Sequence, residues 1–398
     1  MRTVPRPGSA ELTRRCPFDP PREFELLRDD REAGVLHRAG DRTYWLFTSH
    51  SAVTTVLGDG RFSSRVNTGP RLPSGAPLPA WFFGMDAPEH TRYRRLLAGY
   101  FTLRSMRAFA PRIEAIVDEH LTAMRHQGPP ADLFTDFAWP VPARVIGDLI
   151  GLDERQQRLL QDGLQASEDE AAPAQARKAA FDEVWDMLTG LVEDRRRDPQ
   201  DDLLSHLVRV DAALPTDEVA SMALAVAMAG HAPVAHVLAM GAYWLLREGR
   251  ALVADVKDPR HVERAVDEII RYMPTNNLGV VRRVTEDVEL EGESLRRGDV
   301  VFVSLPTANR DPARFDRADT LDLDRGFTPH VAFGHGLHLC VGHNLARVQL
   351  GIGFTALFRA FPDLRLAGDG AGVTMLEDDC SYGVAKLSVS WQERSTTC

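Results

Sequence analysis

From Val219 to Leu246 the chain carries no Asp, Glu, Lys or Arg, a run of 28 residues. As one helix it would be about 42 Å long, at 1.5 Å per residue. Two environments accept such an element. One is a bilayer, which about 20 apolar residues cross. The other is a core large enough to cover a helix on every side. The content of the run favours the core. His231, His236, Gly230 and Pro233 cluster near its middle, and two imidazoles at bilayer depth are costly without partners. No second apolar span and no basic juxtamembrane loop accompany it, so no membrane contact is expected. Pro233 has no N–H for the carbonyl of Ala229, and its ring crowds that turn. The helix should kink or open there. That is either a harmless bend or a defect that frees backbone groups and makes room.

Around this run the chain reads as globular. Of its 398 residues, 44% are hydrophobic and 26% charged, which excludes a disordered, collagenous or disulfide-stapled chain. A net charge of −10 argues against holding nucleic acid by its phosphates. Met1 to Cys16 holds four arginines and no apolar stretch, so no secretory signal is read and a cytoplasmic location is expected. The cysteines, Cys16, Cys340, Cys380 and Cys398, fit neither a disulfide set nor a zinc pattern.

Apolar residues recur at helical spacing over Pro88–Leu97, Ser105–Arg125, Val141–Ile150, Asp153–Gln165 and Ala176–Arg197. Pro215-Thr216-Asp217-Glu218 reads as a helix start. Val262–Tyr272 is a further helix, stopped by Pro274. Strand signals fall at Thr43–Phe47, Val280–Val284, Val288–Leu290, Val300–Ser304 and Lys386–Trp391. The expected class is mainly α with small β-sheets (α+β). The loop-richest stretch, Arg65–Pro79, leads into Trp81, Phe82 and Phe83, three aromatics that need covering.

Phe333 to Arg347 reads FGHGLHLCVGHNLAR. Three glycines, Gly334, Gly336 and Gly342, bracket Cys340 just before a helical run from Asn344 to Phe361. Glycines permit close backbone approach and positive φ. A thiolate at a helix start is stabilised by free N–H groups and the helix dipole. Cys340 therefore reads as a deprotonated thiol in a rigid turn. A buried structural cysteine would not explain its glycines.

Here the chain resembles the cytochrome P-450 family. The cysteine loop fits the family pattern F-G-x-G-x-H-x-C-x-G-x-x-L-A-R at every fixed position. Glu268-Ile269-Ile270-Arg271 fits E-x-x-R, and Arg325 fits the arginine completing that ion-pair cluster. MDAPEHTRYRRL (Met85–Leu96), RFSSR (Arg61–Arg65), RRVTEDVEL (Arg282–Leu290) and ANRDPARF (Ala308–Phe315) also match. The resemblance implies one haem-bearing domain over residues 1–398, with the charge-free helix crossing the haem. It implies haem b, with Cys340 as axial metal ligand, Phe333 and Gly342 beside the sulfur, and His90, Arg94, Arg282 and His338 on the propionates. Glu268, Arg271 and Arg325 are implied to be structural. The substrate shell is implied to include Trp81, Phe82, Phe83, Val226, Ala229, Asn277, Val280 and Tyr382, the last in a turn over Ser381–Val384. His335 and His343 receive no role.

At the catalytic stretch of the central helix the family usually has A-G-x-[DE]-T. This chain has Ala229-Gly230-His231-Ala232-Pro233. A methyl group moves no proton, and proline offers no N–H, so the usual proton relay is absent in its usual form. His231 is either a substitute relay or ordinary packing. The resemblance and this departure together imply a monooxygenase or oxidase of secondary metabolism on a polar, aromatic-bearing natural product. Oxidative coupling of phenol or indole rings is the first reading. Substrate-assisted hydroxylation and a non-catalytic haem-bearing recruitment module are the alternatives. Electrons would come from NAD(P)H through ferredoxin reductase and ferredoxin, docking near Arg94, Arg95, Arg104 and Arg347.

Overall fold

The computed structural model describes residues 2–5, 12–14, 16, 18–39, 42–66, 69–72, 74–168, 171–248, 250–273, 279–368, 373–377 and 382–392. Asn277, Cys380, Ser381 and Cys398 lie outside them.

The charge-free run forms two helices, Thr216–Gly230 and Ala232–Glu248, interrupted at His231. The first starts after Pro215, with Asp217 and Glu218 in its opening turn, where carboxylates favour the helix dipole. Val219–Ala227 and Val234–Tyr243 are buried throughout, so the run is a core element. The sequence predicts a kink at Pro233. The interruption falls two residues earlier, at His231, with φ −102° and ψ −75°. Restarting at Ala232 puts Pro233 in a first turn, where its ring and fixed φ are tolerated.

Neighbouring helices pack onto both halves. A Cβ at Gly241 would lie 2.6 Å from the Phe354 ring of the helix His343–Ala360. Glycine there lets the central helix touch the helix that starts beside Cys340. The helix Pro140–Ile150 approaches the other half through Ile146, whose side chain lies against Gly230. One hydrophobic cluster runs from Phe18 through these helices to Trp391.

The main sheet has six strands in the order Arg2–Thr3, Gly34–Ala39, Arg42–Phe47, Val300–Val303, Val280–Val284 and Phe62–Ser63. Thus the start of the chain pairs with a segment some 250 residues later, with Tyr44 opposite Val300 in parallel register. Its valine-rich strands cover a second core with Val53, Val56 and Val331. A smaller sheet joins Tyr382–Ser390 to Val373–Glu377, Arg365–Leu366 and Ala131–Asp132.

Most helices expected from the sequence are present within two or three residues of their predicted ends. One strand differs. It begins at Tyr382 rather than Lys386, so Tyr382–Val384 is strand and not a turn. Glu377 pairs with Tyr382 and Leu376 with Gly383, so the strand extends back to meet the antiparallel strand just before it in the chain. The helices Arg22–Asp30, His50–Gly58, Leu203–Val210 and Arg250–Lys257 had no counterpart in the sequence reading.

Candidate functional site

The loop around Cys340 is closed by its own backbone. Gly334 N–H donates to the Val331 carbonyl and Cys340 N–H to that of Phe333, both at 2.8 Å. Gly336 has φ +67°, and a Cβ there would sit 2.6 Å from the Leu57 carbonyl oxygen. No other residue type fits that position. The helix His343–Ala360 follows at once, capped by Gly342. Backbone N–H groups of Gly342 and His343 point at the Cys340 sulfur. Burial pushes the thiol pKa up, while those N–H groups and the charges of Arg94 and Arg347 oppose the shift. Cys340 is nonetheless accessible. A sulfur both enclosed by protein and accessible faces an internal space.

Four basic side chains converge nearby. His90 is buried, and its Nδ1 has no hydrogen-bond partner. His338 lies with its ring centroid 4.1 Å from that of His90, and its Nε2 is 2.9 Å from Ser64 Oγ. Burial first, then His90, Arg282 and Arg94, depress the His338 pKa to about 3, against a small opposing pull from Asp86. Arg282 is buried, its side chain makes one hydrogen bond among the described residues, to the Val281 carbonyl at 2.8 Å, and it is pulled down to about 10 by desolvation. Arg94 is half-buried and also lowered by desolvation. The carboxylate acting on this group, Asp86, already accepts from Ser63 Oγ at 2.6 Å and Ser64 N–H at 2.8 Å. Unbalanced buried cations and an orphaned ring nitrogen are what a doubly anionic ligand would satisfy. With the sulfur facing an internal space, the residues fit a haem with two propionates.

The central helix has one open face. Between Val219 and Tyr243 the two exposed residues are Ala229 and Pro233, four apart and therefore on one side. Ala232 is half-buried, and Val226 is buried one turn earlier. His231 points elsewhere. Its Nε2 lies 3.0 Å from the Trp139 carbonyl and its ring 4.0 Å from that indole. Burial depresses its pKa to about 4. Packing, with a hydrogen bond, is the reading of His231 that fits.

The expected substrate contacts scatter. Phe82 is packed in the core, 4.4 Å ring to ring from Phe83. Trp81 and Phe83 stay half-buried with an edge contact at 5.1 Å. Val280 is half-buried, paired with Val303. Tyr382 is buried beneath the Arg14 guanidinium, 4.1 Å above its ring.

Beneath the loop lies the ion-pair cluster. Arg271 Nε and Nη2 donate to Glu268 at 2.7 and 2.8 Å. Further Arg271 bonds reach the carbonyls of Asn309, Ala318 and Thr320. Arg325 Nε donates to Glu268 at 3.1 Å. A second network escaped the sequence reading. Arg347 Nε donates to Asp267 at 2.9 Å, His330 Nε2 lies 3.3 Å from the same oxygen, and Arg347 sits 4.6 Å above the Phe333 ring. The acid beside E-x-x-R was its one available signal. This network borders a cleft of about 1290 Å³ with Leu103, Arg107 and Phe327 on its walls. Of the four arginines expected to form a surface patch, Arg95 and Arg104 are exposed. Arg94 is half-buried with its charge near the sulfur, and Arg347, half-buried, is paired with Asp267.

A helix-dominated fold with a thiol in a glycine-shaped turn, beside an anion-seeking cluster, defines a haem-thiolate protein. The chain belongs to the cytochrome P-450 family. The family profile, Cytochrome P-450, matches residues 250–366. Cytochrome P-450 105C1 of a Streptomyces species is 40% identical over 98% of this chain and 100% of its own. Nocardicin C N-oxygenase of Nocardia uniformis subsp. tsuyamanensis is 36% identical over 95% of this chain and 99% of its own. The solved structure of StaH, from glycopeptide antibiotic biosynthesis, superposes with a TM-score of 0.87 at 36% identity, covering 98% of this chain and 100% of that one. The chain is accordingly a cytochrome P-450 enzyme, and the family implies a haem, a small-molecule substrate and a redox partner of the ferredoxin kind.

Proposed function

We propose that this enzyme couples aromatic rings, phenol or indole, by forming a C–C or C–N bond within a polar natural product of secondary metabolism. It works in the cytoplasm as one domain over residues 1–398, with haem b held by Cys340. The haem, when bound, supplies dioxygen activation, favoured by electron donation from the thiolate. His90, Arg94, Arg282 and His338 would hold its propionates, and Phe333 and Gly342 would shield the sulfur. Val226, Ala229, Ala232 and Pro233 form the ceiling of the substrate chamber, with Trp81, Phe83, Asn277 and Val280 as candidate walls. Phe82 and Tyr382, both buried by protein, are weaker candidates.

The observation that carries this reading is the chemistry of Ala232 and Pro233. Neither side chain carries a proton to deliver, while Gly230 and His231 are committed to packing. Coupling needs no oxygen atom placed in the product. The substrate gives up two hydrogen atoms, a bond forms between its rings, and dioxygen with two protons and two electrons becomes two waters. The electrons come from reduced ferredoxin, recharged by its reductase and NAD(P)H. The likeness to StaH supports this reading. Substrate-assisted hydroxylation is the second reading, favoured by the likeness to an N-oxygenase. Turnover under heavy-isotope dioxygen separates them: label in water alone supports coupling, and label in the major product overturns it.

A further inference from the structure

We propose that the backbone carbonyl of Ala229 is a substrate-recognition group, an acceptor that selects ligands bearing an aromatic N–H or O–H. This rests on the reading of the chamber as an aromatic-substrate site and specifies what the ring must carry.

A helical carbonyl is normally satisfied by the N–H four residues on. For Ala229 that residue is Pro233, which has none. The helix is interrupted at His231, and the ladder resumes with Ala235 N–H on the His231 carbonyl at 3.1 Å. Ala229 and Pro233 are also the exposed pair in an otherwise enclosed helix. The missing bond therefore lies on the open face.

Everything else on that face is apolar. Val226, Ala229, Ala232 and Pro233 contribute methyl, methylene and isopropyl groups. The one polar side chain at the break, His231, is tied to the Trp139 carbonyl. A backbone acceptor among apolar side chains is selective in one direction. It rewards a donor, and it penalises a ligand that buries it unpaired. Indole N–H and phenol O–H fit; an ether, an N-alkylated ring or a carboxylate does not. The proline thus replaces a proton-carrying alcohol with a donor-seeking site.

The test uses haem-loaded protein and two isomers of equal size, 3-methylindole and 1-methylindole, read by the Soret shift on titration. The wild type should bind 3-methylindole about tenfold more tightly, the size of one buried hydrogen bond. Pro233→Ala and Pro233→Val both restore an N–H at the position that an uninterrupted helix sets against the Ala229 carbonyl, and with the break closed the preference should shrink to within about twofold of parity. Two variants are used so that misfolding of one leaves the comparison intact. Equal binding of the isomers by wild type, or a tenfold preference that survives both substitutions, overturns the carbonyl site and leaves the aromatic chamber standing. If neither indole nor any simple phenol shifts the Soret band, the aromatic-substrate reading falls, and the recognition site with it.

Discussion

Replacing Glu268 by Gln changes one atom of shape and one unit of charge at the most enclosed ion pair among the described residues. Glu268 Oε1 accepts from Arg271 Nη2 at 2.8 Å, Arg325 Nε at 3.1 Å and Asp322 N–H at 3.0 Å, while Oε2 accepts from Arg271 Nε at 2.7 Å. Every neighbour of this carboxylate is a donor. An amide NH₂ placed at either oxygen must face a guanidinium, so no flip of the substituted side chain relieves the contact. Arg271 keeps its three carbonyl partners, but its charge, and part of that of Arg325, loses its counter-ion in a site with almost no solvent. Breaking one side of a buried pair costs about 3–5 kcal/mol. Against a typical total of about 5–15 kcal/mol, that is a large fraction. Urea unfolding of the haem-free and haem-loaded protein should show the midpoint falling in both, with m unchanged. Arg271→Met on its own should also destabilise, since it strands Glu268 and leaves the Asn309, Ala318 and Thr320 carbonyls without their donor. A loss below about 1 kcal/mol for Glu268→Gln would refute the account of Glu268 as the charge anchor.

Other outcomes follow from the site. Arg282→Met should change the two forms in opposite directions: the haem-free protein gains stability by losing an unbalanced buried cation, whereas haem transfer to an acceptor protein quickens about tenfold or more. Both forms weakening together would contradict the anion-seeking cluster. Cys340→Ser should abolish the red-shifted Soret band of the carbon monoxide complex seen for a thiolate ligand. His231 has a folded pKa of about 4 against an ordinary 6.5, so below pH 6.5 the unfolded chain takes up a proton that the folded chain refuses, and stability falls as pH drops toward 4. His231→Gln, which keeps a donor for the Trp139 carbonyl, should flatten that slope and leave stability at pH 8 nearly unchanged; an unaltered slope would assign the pH dependence elsewhere.

What could be read in advance, and what could not, divides by the range of the interaction responsible. Cys340 and its glycines are legible because turn, ligand and helix start lie within ten residues, as is the Glu268–Arg271 pair one helical turn apart. Pro233 signals a defect locally, yet the position of the break at His231 depends on how the second helix restarts. Asp267 and Arg347 are 80 residues apart and meet only because two helices cross. Tyr382 was drawn toward the chamber by the resemblance, but the guanidinium above it comes from residue 14. The helix Leu203–Val210 is eight residues long, held by an Asp202 cap to Ser205 N–H and by burial of Leu203, Leu204 and Leu207. So short a helix owes more to its packing than to its own sequence.

The pairing of the first strands with residues 300–303 sets the order in which the molecule can be completed. His90 and Arg94 leave the ribosome early, Arg282 and His338 late, and Cys340 later still. Arg310 fastens the start of the chain from the far end, donating to the Phe18 carbonyl at 3.0 Å while its guanidinium lies 3.3 Å over Tyr272. Neither the anion cradle nor the sulfur exists in a nascent chain shorter than about 340 residues. Haem capture is therefore a late event of synthesis, and until then the long apolar run from Val219 stands without the C-terminal helix that covers one of its sides.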